Sequence, residues 1–191
     1  RIFRLGETED GLIYLVMPYL AGELLSDREV RQGALPVDFG VPLLSQMCRG
    51  LQHAHDLQII HRDLKPENVM LVPDDQGPGG VRAVVMDFGL ARDMGGIGIT
   101  QHGIAVGSPS YMAPEQAIGE RVDERTDVYG LGATLYEILS GRPPFRGGTV
   151  VETVRLVMES EAPMLRSLTS RTVSPALPRR HGGRDGPAGH G

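Results

Sequence analysis

The sequence predicts an α+β fold in which a short β-hairpin precedes a mainly helical body. Two observations lead to this prediction. The first twenty positions contain short strand-like apolar runs around a turn, whereas later segments repeat apolar residues every three or four positions, as amphipathic helices do. With 191 residues and 40% hydrophobic content, the chain is long enough to bury one substantial core, or one complete lobe and part of another.

The hairpin is predicted from the apolar runs RIFRL and LIYLVM, which are separated by GETEDG and a turn closed by Gly11. Pro18 ends the strand pattern, and PYLAGELL leads into a short helix that ends near Gly33. A longer amphipathic helix is expected over residues 37–57. Its apolar positions at helical spacing are Val41, Leu44, Met47, Cys48, Leu51 and Ala54.

The second half is predicted to contain a strand, a long loop and two helices. The strand VRAVVM follows the surface turn VPDDQGPGG and delivers Asp87 at its end. Residues 88–114 show no sustained periodicity, and loops of this length in compact domains are usually functional or disordered. DVYGLGATLYEILSG predicts a helix capped by Gly141, and VVETVRLVMES predicts another. The first of these helices has Val128, Leu131, Leu135, Ile138 and Leu139 at helical spacing.

Charge and composition exclude several functional classes. The net charge of -5 leaves no basic stripe to neutralise a nucleic-acid backbone. The longest apolar runs are far shorter than the roughly 20 residues that span a bilayer, so no membrane segment and a cytoplasmic location are expected, although a longer parent protein could be membrane-anchored. Cys48 is the sole cysteine, and its spacing suggests a buried helix face rather than a reactive thiol.

The polar residues that can support chemistry concentrate in HRDLKPEN, residues 61–68, which contains the only lysine of the chain. Pro66 disfavours helix at Lys65, so this segment is predicted to be a folded loop between strands. Its aspartate, lysine and asparagine could supply a proton acceptor, a cation for phosphate and an oxygen ligand for Mg²⁺. Asp87 could supply a second oxygen ligand. HRD or DFG alone would be explained more simply as a solvated surface turn.

The ordered set of motifs resembles the eukaryotic-type protein kinase family, and within it the serine/threonine kinases found in bacteria. The set comprises HRDLKPEN, DFG, GSPSYMAPE, DERTDVYGLG and GRPPF. The resemblance implies a protein-kinase-like fold with a partial small lobe, made of a β-hairpin and hinge, over residues 1–20. It further implies a mainly helical large lobe with catalytic loop and activation segment over residues 21–170. Residues 171–191, rich in Gly, Pro and Arg, are predicted to be a disordered tail.

The resemblance also implies roles for individual residues. Asp63 would orient the substrate hydroxyl and accept its proton, and Lys65 would stabilise the γ-phosphate of ATP. Asn68 and Asp87 would hold Mg²⁺. A lysine suits its position because a compact point charge can follow the transferred group better than a planar guanidinium. DLKPEN further implies that the hydroxyls belong to serine and threonine residues of proteins.

ATP and regulatory sites are implied in the same way. The residues expected around the adenine are Met17 as gatekeeper, Pro18 and Leu20 through backbone groups, and Met70 and Met86 as pocket lining, although all could simply be core. Ser108 matches the threonine that lines the acceptor site. Arg62 suggests control by a phosphate on the long loop, with Thr100 the candidate acceptor and an exposed threonine without a role the alternative. A dimer would allow such autophosphorylation.

Two other interpretations stay open. The glycine-rich phosphate loop, the strand lysine and the helix glutamate of the family are expected before residue 1, and no lysine other than Lys65 can substitute. A catalytically silent module that binds partners or nucleotide is therefore the alternative to a kinase. A metal hydrolase built on His and Asp ranks far below both. His53, His55 and His61 could suggest zinc, but two histidines two positions apart do not share a helix face, as zinc pairs on helices do. The change in character after SPAL is interpreted as a shifted reading frame or a truncated gene.

Overall fold

The computed structural model of the chain describes residues 3–88 and 108–167. Over these ranges it confirms the α+β class, with two small antiparallel sheets and five α-helices. The strands are β1 (Arg4–Glu7), β2 (Ile13–Val16), β3 (Glu23–Leu24), β4 (Val69–Pro73) and β5 (Val81–Val85). The helices are α1 (Leu25–Gln32), α2 (Val37–Asp56), α3 (Pro114–Ala117), α4 (Glu124–Ser140) and α5 (Val150–Glu159). The predicted tail over residues 171–191 lies outside the described residues.

The first sheet is the predicted hairpin. Strands β1 and β2 pair antiparallel, with Arg4 opposite Val16. The turn between them closes where the Gly11 amide donates to the Thr8 carbonyl over 3.0 Å. Gly11 has a φ of +85°, a conformation that glycine adopts without steric cost. The predicted turn residue is therefore confirmed.

The second sheet brings two distant segments side by side. Its strand order is β3-β4-β5, and all pairs are antiparallel. Gly22 allows the chain to enter β3, since a Cβ atom there would lie 2.3 Å from the carbonyl oxygen of Leu71. Strand β4 follows directly after residues 61–68, and β5 ends two residues before Asp87. This sheet therefore fixes the relative position of the two motifs.

The core lies between α2, α4 and the second sheet. Helix α2 contributes one stripe of buried residues at intervals of three and four: Gly40, Leu43, Met47, Leu51 and Ala54. Each fully buried leucine or methionine contributes about 1.5–3 kcal/mol to folding. The crossing with α4 is close, because a Cβ atom on Gly40 would lie 2.8 Å from Cγ2 of Ile138.

The predicted positions along the two long helices were partly wrong. Cys48 is exposed, and Val41 is 48% exposed. At about 100° per residue, both lie one step around the helix from the Gly40–Met47 stripe that packs on the core. In α4, Val128 is likewise exposed at 62%, whereas Asp127 is buried.

Side chains define the starts of α4 and α5, and the predicted Gly141 cap ends α4. Asp123 accepts the backbone amide of Arg125 at the start of α4, and Gly141 ends the helix in the left-handed conformation. Thr149 similarly accepts the Glu152 amide at the start of α5. Among residues 3–88 and 108–167, no helix combines the length and the apolar character needed to cross a membrane.

Candidate active site

The loop of residues 61–68, here called the HRD loop, is anchored by a carboxylate from α4. Asp127 is 1% exposed. Its Oδ2 accepts the backbone amide of His61 and its Oδ1 that of Arg62, each over 2.8 Å. Nε2 of His55 lies 2.7 Å from Oδ2. A buried carboxylate requires such partners, so α2, α4 and the HRD loop are held together at one point.

His61 connects the HRD loop to the end of β5. Its side chain is fully buried, and its Nε2 lies 2.7 Å from the carbonyl oxygen of Met86. The Asp63 amide donates to Nδ1 over 3.3 Å, which fits the tautomer that carries its proton on Nε2. The ring also packs on Phe88, with centroids 4.7 Å apart. His55 and His61 therefore both have structural contacts within the fold.

Three of the predicted site residues converge within the HRD loop. Nδ2 of Asn68 donates to the backbone carbonyl of Asp63 over 2.7 Å and to its Oδ2 over 3.2 Å. Nζ of Lys65 lies 3.1 Å from the same Oδ2. The Asp63 side chain keeps 30% of its surface exposed. The result is a solvent-accessible carboxylate flanked by an ammonium group and an amide.

Ser108 lies beside this group, at the start of the second described range. Nζ of Lys65 and Oγ of Ser108 are 3.5 Å apart, which is at the long limit of a hydrogen bond. Ser108 is half-buried. The structure thus brings Ser108 to Lys65, although 43 positions separate them in the sequence. Thr100 lies outside the described residues.

Asp87 is positioned next to Asn68 by strand pairing. Val69 is the register partner of Val85, and the Met86 amide donates to the Asn68 carbonyl over 2.8 Å. Asp87 follows directly and is exposed. Its φ is +56°, and that of Arg62 is +67°. Such conformations cost non-glycine residues about 1–3 kcal/mol and cluster at functional sites.

Comparison with known proteins decides the family. The model of the protein kinase domain matches residues 2–179. The chain belongs to the protein kinase family. Similar proteins include the serine/threonine-protein kinases pkn3 and pkn2 of Myxococcus xanthus. They are 38% identical over 180 residues and 43% identical over 150 residues, covering 91% and 77% of this chain.

Serine/threonine-protein kinase PknB of Mycolicibacterium smegmatis is 39% identical over 174 residues, which cover 90% of this chain. The matched regions make up 32%, 18% and 27% of pkn3, pkn2 and PknB, respectively. The kinase chain therefore spans about a fifth to a third of the length of these curated relatives.

The residues predicted around the nucleotide lie on two separate parts of the kinase chain. Met17 and Pro18 follow β2 and are exposed, whereas Leu20 is half-buried. Met70 on β4 and Met86 after β5 are also half-buried. The alternative interpretation, in which these residues simply belong to the core, is therefore wrong for Met17 and Pro18.

Two buried polar residues of the kinase were missed as site residues. Asp127 belongs to the motif DERTDVYGLG. It shares a helix face with Leu131 and Thr134, and this was the available signal, since a charge on a buried face needs a specific partner. Gln116 gave no signal, because α3 has only four residues and shows no periodicity. Its contacts reach the HRD loop and are described below.

An acidic cavity of about 200 Å³ lies beside the HRD loop of the kinase. Its lining includes the carboxylates of Glu29, Glu67 and Glu137 together with Tyr111. Burial, reinforced by Glu137 and Glu67, raises the pKa of Glu29 to about 8. Burial also raises the pKa of Glu137, whose carboxylate accepts the Tyr111 hydroxyl. The cavity therefore favours the protonated form of Glu29.

Proposed function

We propose that the chain is the catalytic part of a serine/threonine protein kinase that transfers the γ-phosphate of ATP to serine and threonine hydroxyls of proteins. One observation carries this proposal: the accessible Asp63 carboxylate lies within 3.2 Å of Nζ of Lys65 and Nδ2 of Asn68. A carboxylate held this way can accept a proton from a hydroxyl while the neighbouring ammonium faces the phosphate. The relatives named above are serine/threonine-protein kinases, which supports the same reaction.

Each group has one task in the transfer. Asp63 orients the substrate hydroxyl and takes up its proton as the oxygen attacks the γ-phosphorus. The bond between that phosphorus and ADP breaks, and the leaving oxygen keeps the electron pair. Lys65 contacts the transferred group, where its charge opposes the negative charge on the phosphoryl oxygens. Ser108 borders the position of the incoming hydroxyl.

The donor set at the end of the second sheet fits Mg²⁺. The exposed Asp87 carboxylate and the Asn68 side-chain oxygen are the hard oxygen ligands that this ion prefers. An Mg²⁺ ion held by these two residues would neutralise charge on the phosphates. The side-chain N–H of Asn68 donates to the Asp63 carboxylate. One side chain would therefore contact both the metal ion and the base. Met17, Pro18, Leu20, Met70 and Met86 are the proposed adenine contacts.

Location and regulation belong to the same proposal. We place the domain in the cytoplasm, where ATP is available, whether or not its parent protein is anchored to a membrane. Arg62 would pair with a phosphate on Thr100, and two copies of the chain would phosphorylate each other. Peptide mapping of the protein after incubation with ATP would identify the modified residue. Phosphate found only on other residues would remove Thr100 from the proposal.

A transfer assay tests the central reaction. The chain, and a version extended upstream of residue 1, are incubated with labelled ATP, Mg²⁺ and a serine-rich protein. We expect Asp63→Asn to lower transfer by about 10²–10⁴-fold, because it removes the proton acceptor. Asp87→Asn should also lower transfer, because it removes a ligand of Mg²⁺, whereas Asp56→Asn on the exposed face of α2 should not. Undiminished transfer by Asp63→Asn would refute the role of this carboxylate. ATP binding without transfer in both versions would favour the silent binding module.

A further inference from the structure

Gln116 of α3 bonds through both ends of its side chain, one end to the HRD loop and the other to the residue before α3. Nε2 donates to the carbonyl oxygen of Arg62 over 2.8 Å, although the two residues are 54 positions apart. Oε1 accepts the backbone amide of Ala113 over 3.1 Å. Gln116 is 4% exposed, and Ala113 is fully buried. Because hydrogen bonds in buried surroundings are costly to lose, this side chain is a rigid link rather than an incidental contact.

The link acts on a strained part of the backbone. Arg62 has a φ of +67°, which a non-glycine residue adopts only where the surrounding structure holds it. Asp127 accepts the Arg62 amide, and Gln116 donates to the Arg62 carbonyl. That carbonyl belongs to the peptide bond that leads into Asp63. Two side chains from different helices therefore fix the backbone on the amino-terminal side of the proposed base.

The other end of the link reaches the segment of residues 108–113. This segment begins with Ser108, which lies beside Lys65, and it ends with Ala113, whose amide is bonded to Gln116. A movement of the segment would therefore act on Gln116, and through it on the Arg62 carbonyl.

We propose that Gln116 is a positioning residue: its amide group fixes the orientation of Asp63 and makes that orientation depend on the placement of residues 108–113. This inference rests on the proposed kinase function and deepens it. A substrate or modification that shifts residues 108–113 would thereby change the orientation of the Asp63 carboxylate. Glutamine suits the position because one end must donate and the other must accept. Glutamate offers two acceptors unless it is protonated, and leucine offers neither group.

Kinetics of three variants test the proposal in whichever version of the chain transfers phosphate. We expect Gln116→Leu to lower kcat about ten- to hundredfold, with the KM for ATP unchanged, because the base is misplaced while the nucleotide contacts remain. Gln116→Glu should recover toward the wild-type kcat as the pH falls, since a protonated carboxyl group can donate to Arg62. The matched control is Thr153→Val, which removes an equally buried hydroxyl and its bonds to Gly147 and Thr149.

Hydrogen exchange gives a second measurement that does not require activity. In Gln116→Leu, the amides of His61 to Asp63 should exchange faster than in the wild type, whereas Thr153→Val should leave them unchanged. Wild-type exchange and kcat in Gln116→Leu would overturn the proposal. An equal loss of kcat per folded molecule in Thr153→Val would also overturn it, because the effect would then be general. If neither version with the wild-type sequence transfers phosphate, the proposed function fails and the exchange rates alone decide the role of Gln116.

Discussion

The β1–β2 hairpin and the HRD loop are stabilised by different kinds of interaction. In the hairpin, backbone pairing holds the strands, while Phe3, Leu5 and Ile13 are 59–69% exposed. In the HRD loop, buried side chains from α3 and α4 bind the backbone at His61 and Arg62, and His55 of α2 contacts the α4 carboxylate. The comparison shows that the site geometry depends on a few long-range polar contacts, each of which a single substitution can remove.

The largest effect is expected where the HRD loop is anchored. Asp127→Ala leaves two backbone amides and His55 without their buried acceptor, which should lower the free energy of unfolding by about 3–5 kcal/mol. Urea denaturation followed by circular dichroism would measure the loss. Asp123→Asn, at the exposed start of α4, is the control. A loss below about 1 kcal/mol for Asp127→Ala would show that the loop is held by other contacts.

A pair of glycine substitutions in α2 tests whether the scaffold behind the HRD loop is as tightly packed as described. Gly40→Ala should lower the free energy of unfolding by about 1–3 kcal/mol, because its Cβ would overlap Ile138. A Cβ atom added at Gly50 would have no neighbour within 4 Å, so Gly50→Ala should stabilise the same helix by about 0.5–1 kcal/mol. Thermal unfolding of both variants measures the difference. Equal effects would mean that the α2–α4 crossing is not close.

The acidic cavity beside the HRD loop predicts that the stability of the protein depends on pH. The pKa of Glu29 rises from an ordinary value of 4.5 to about 8 on folding, so between these pH values the folded state binds more protons than the unfolded state. Stability should therefore fall as the pH rises through this window. The slope is at most about 1.4 kcal/mol per pH unit, and because Glu29 is partly exposed, solvent screening narrows the pH window over which it applies.

Glu29→Gln should flatten that slope. Unfolding measured at several pH values between 5 and 8 would show it, with Glu9→Gln on the exposed hairpin as the control. Glu137 contributes in the same direction, because burial raises its pKa too, so part of the slope should persist. If the wild type and Glu29→Gln have the same profile, Glu29 does not take up a proton on folding.

The smallest effect is expected in the hairpin. Ile13 is 69% exposed, so Ile13→Thr should change the free energy of unfolding by less than about 0.5 kcal/mol. The matched change in the core is Leu43→Ala, which should cost about 2–5 kcal/mol. A large loss of unfolding free energy for Ile13→Thr would mean that this face of the hairpin is buried against other atoms. The contrast with the HRD loop would then disappear.

Local patterns predicted the elements well, because a strand alternation or a helical repeat is set by neighbouring residues. The hairpin, its Gly11 turn, the two long helices and the Gly141 cap all follow from such patterns. The buried face of α2 was assigned partly wrongly because Gly40 has no side chain to signal contact, which shifted the prediction toward Val41 and Cys48. The hydrogen bonds from Asp127 and Gln116 were not predictable, since each joins residues that meet only in the folded chain.

Motif spacing predicted which site residues would approach each other, but not what holds them. Asp63, Lys65 and Asn68 are close in sequence, and a folded loop brings them together. Asp87 reaches the same edge through the pairing of β4 with β5, which its place after a predicted strand suggested. The strained conformation of Arg62 gave no sequence signal, because positive φ is expected for glycine and not for arginine.

The exposed position of Cys48 has a practical consequence. It is the single thiol of the chain, and it lies on the outer surface of α2, away from the core. A maleimide dye would therefore attach at one defined point without prior removal of other cysteines. Fluorescence anisotropy from that label would report how tightly partner proteins associate with the kinase.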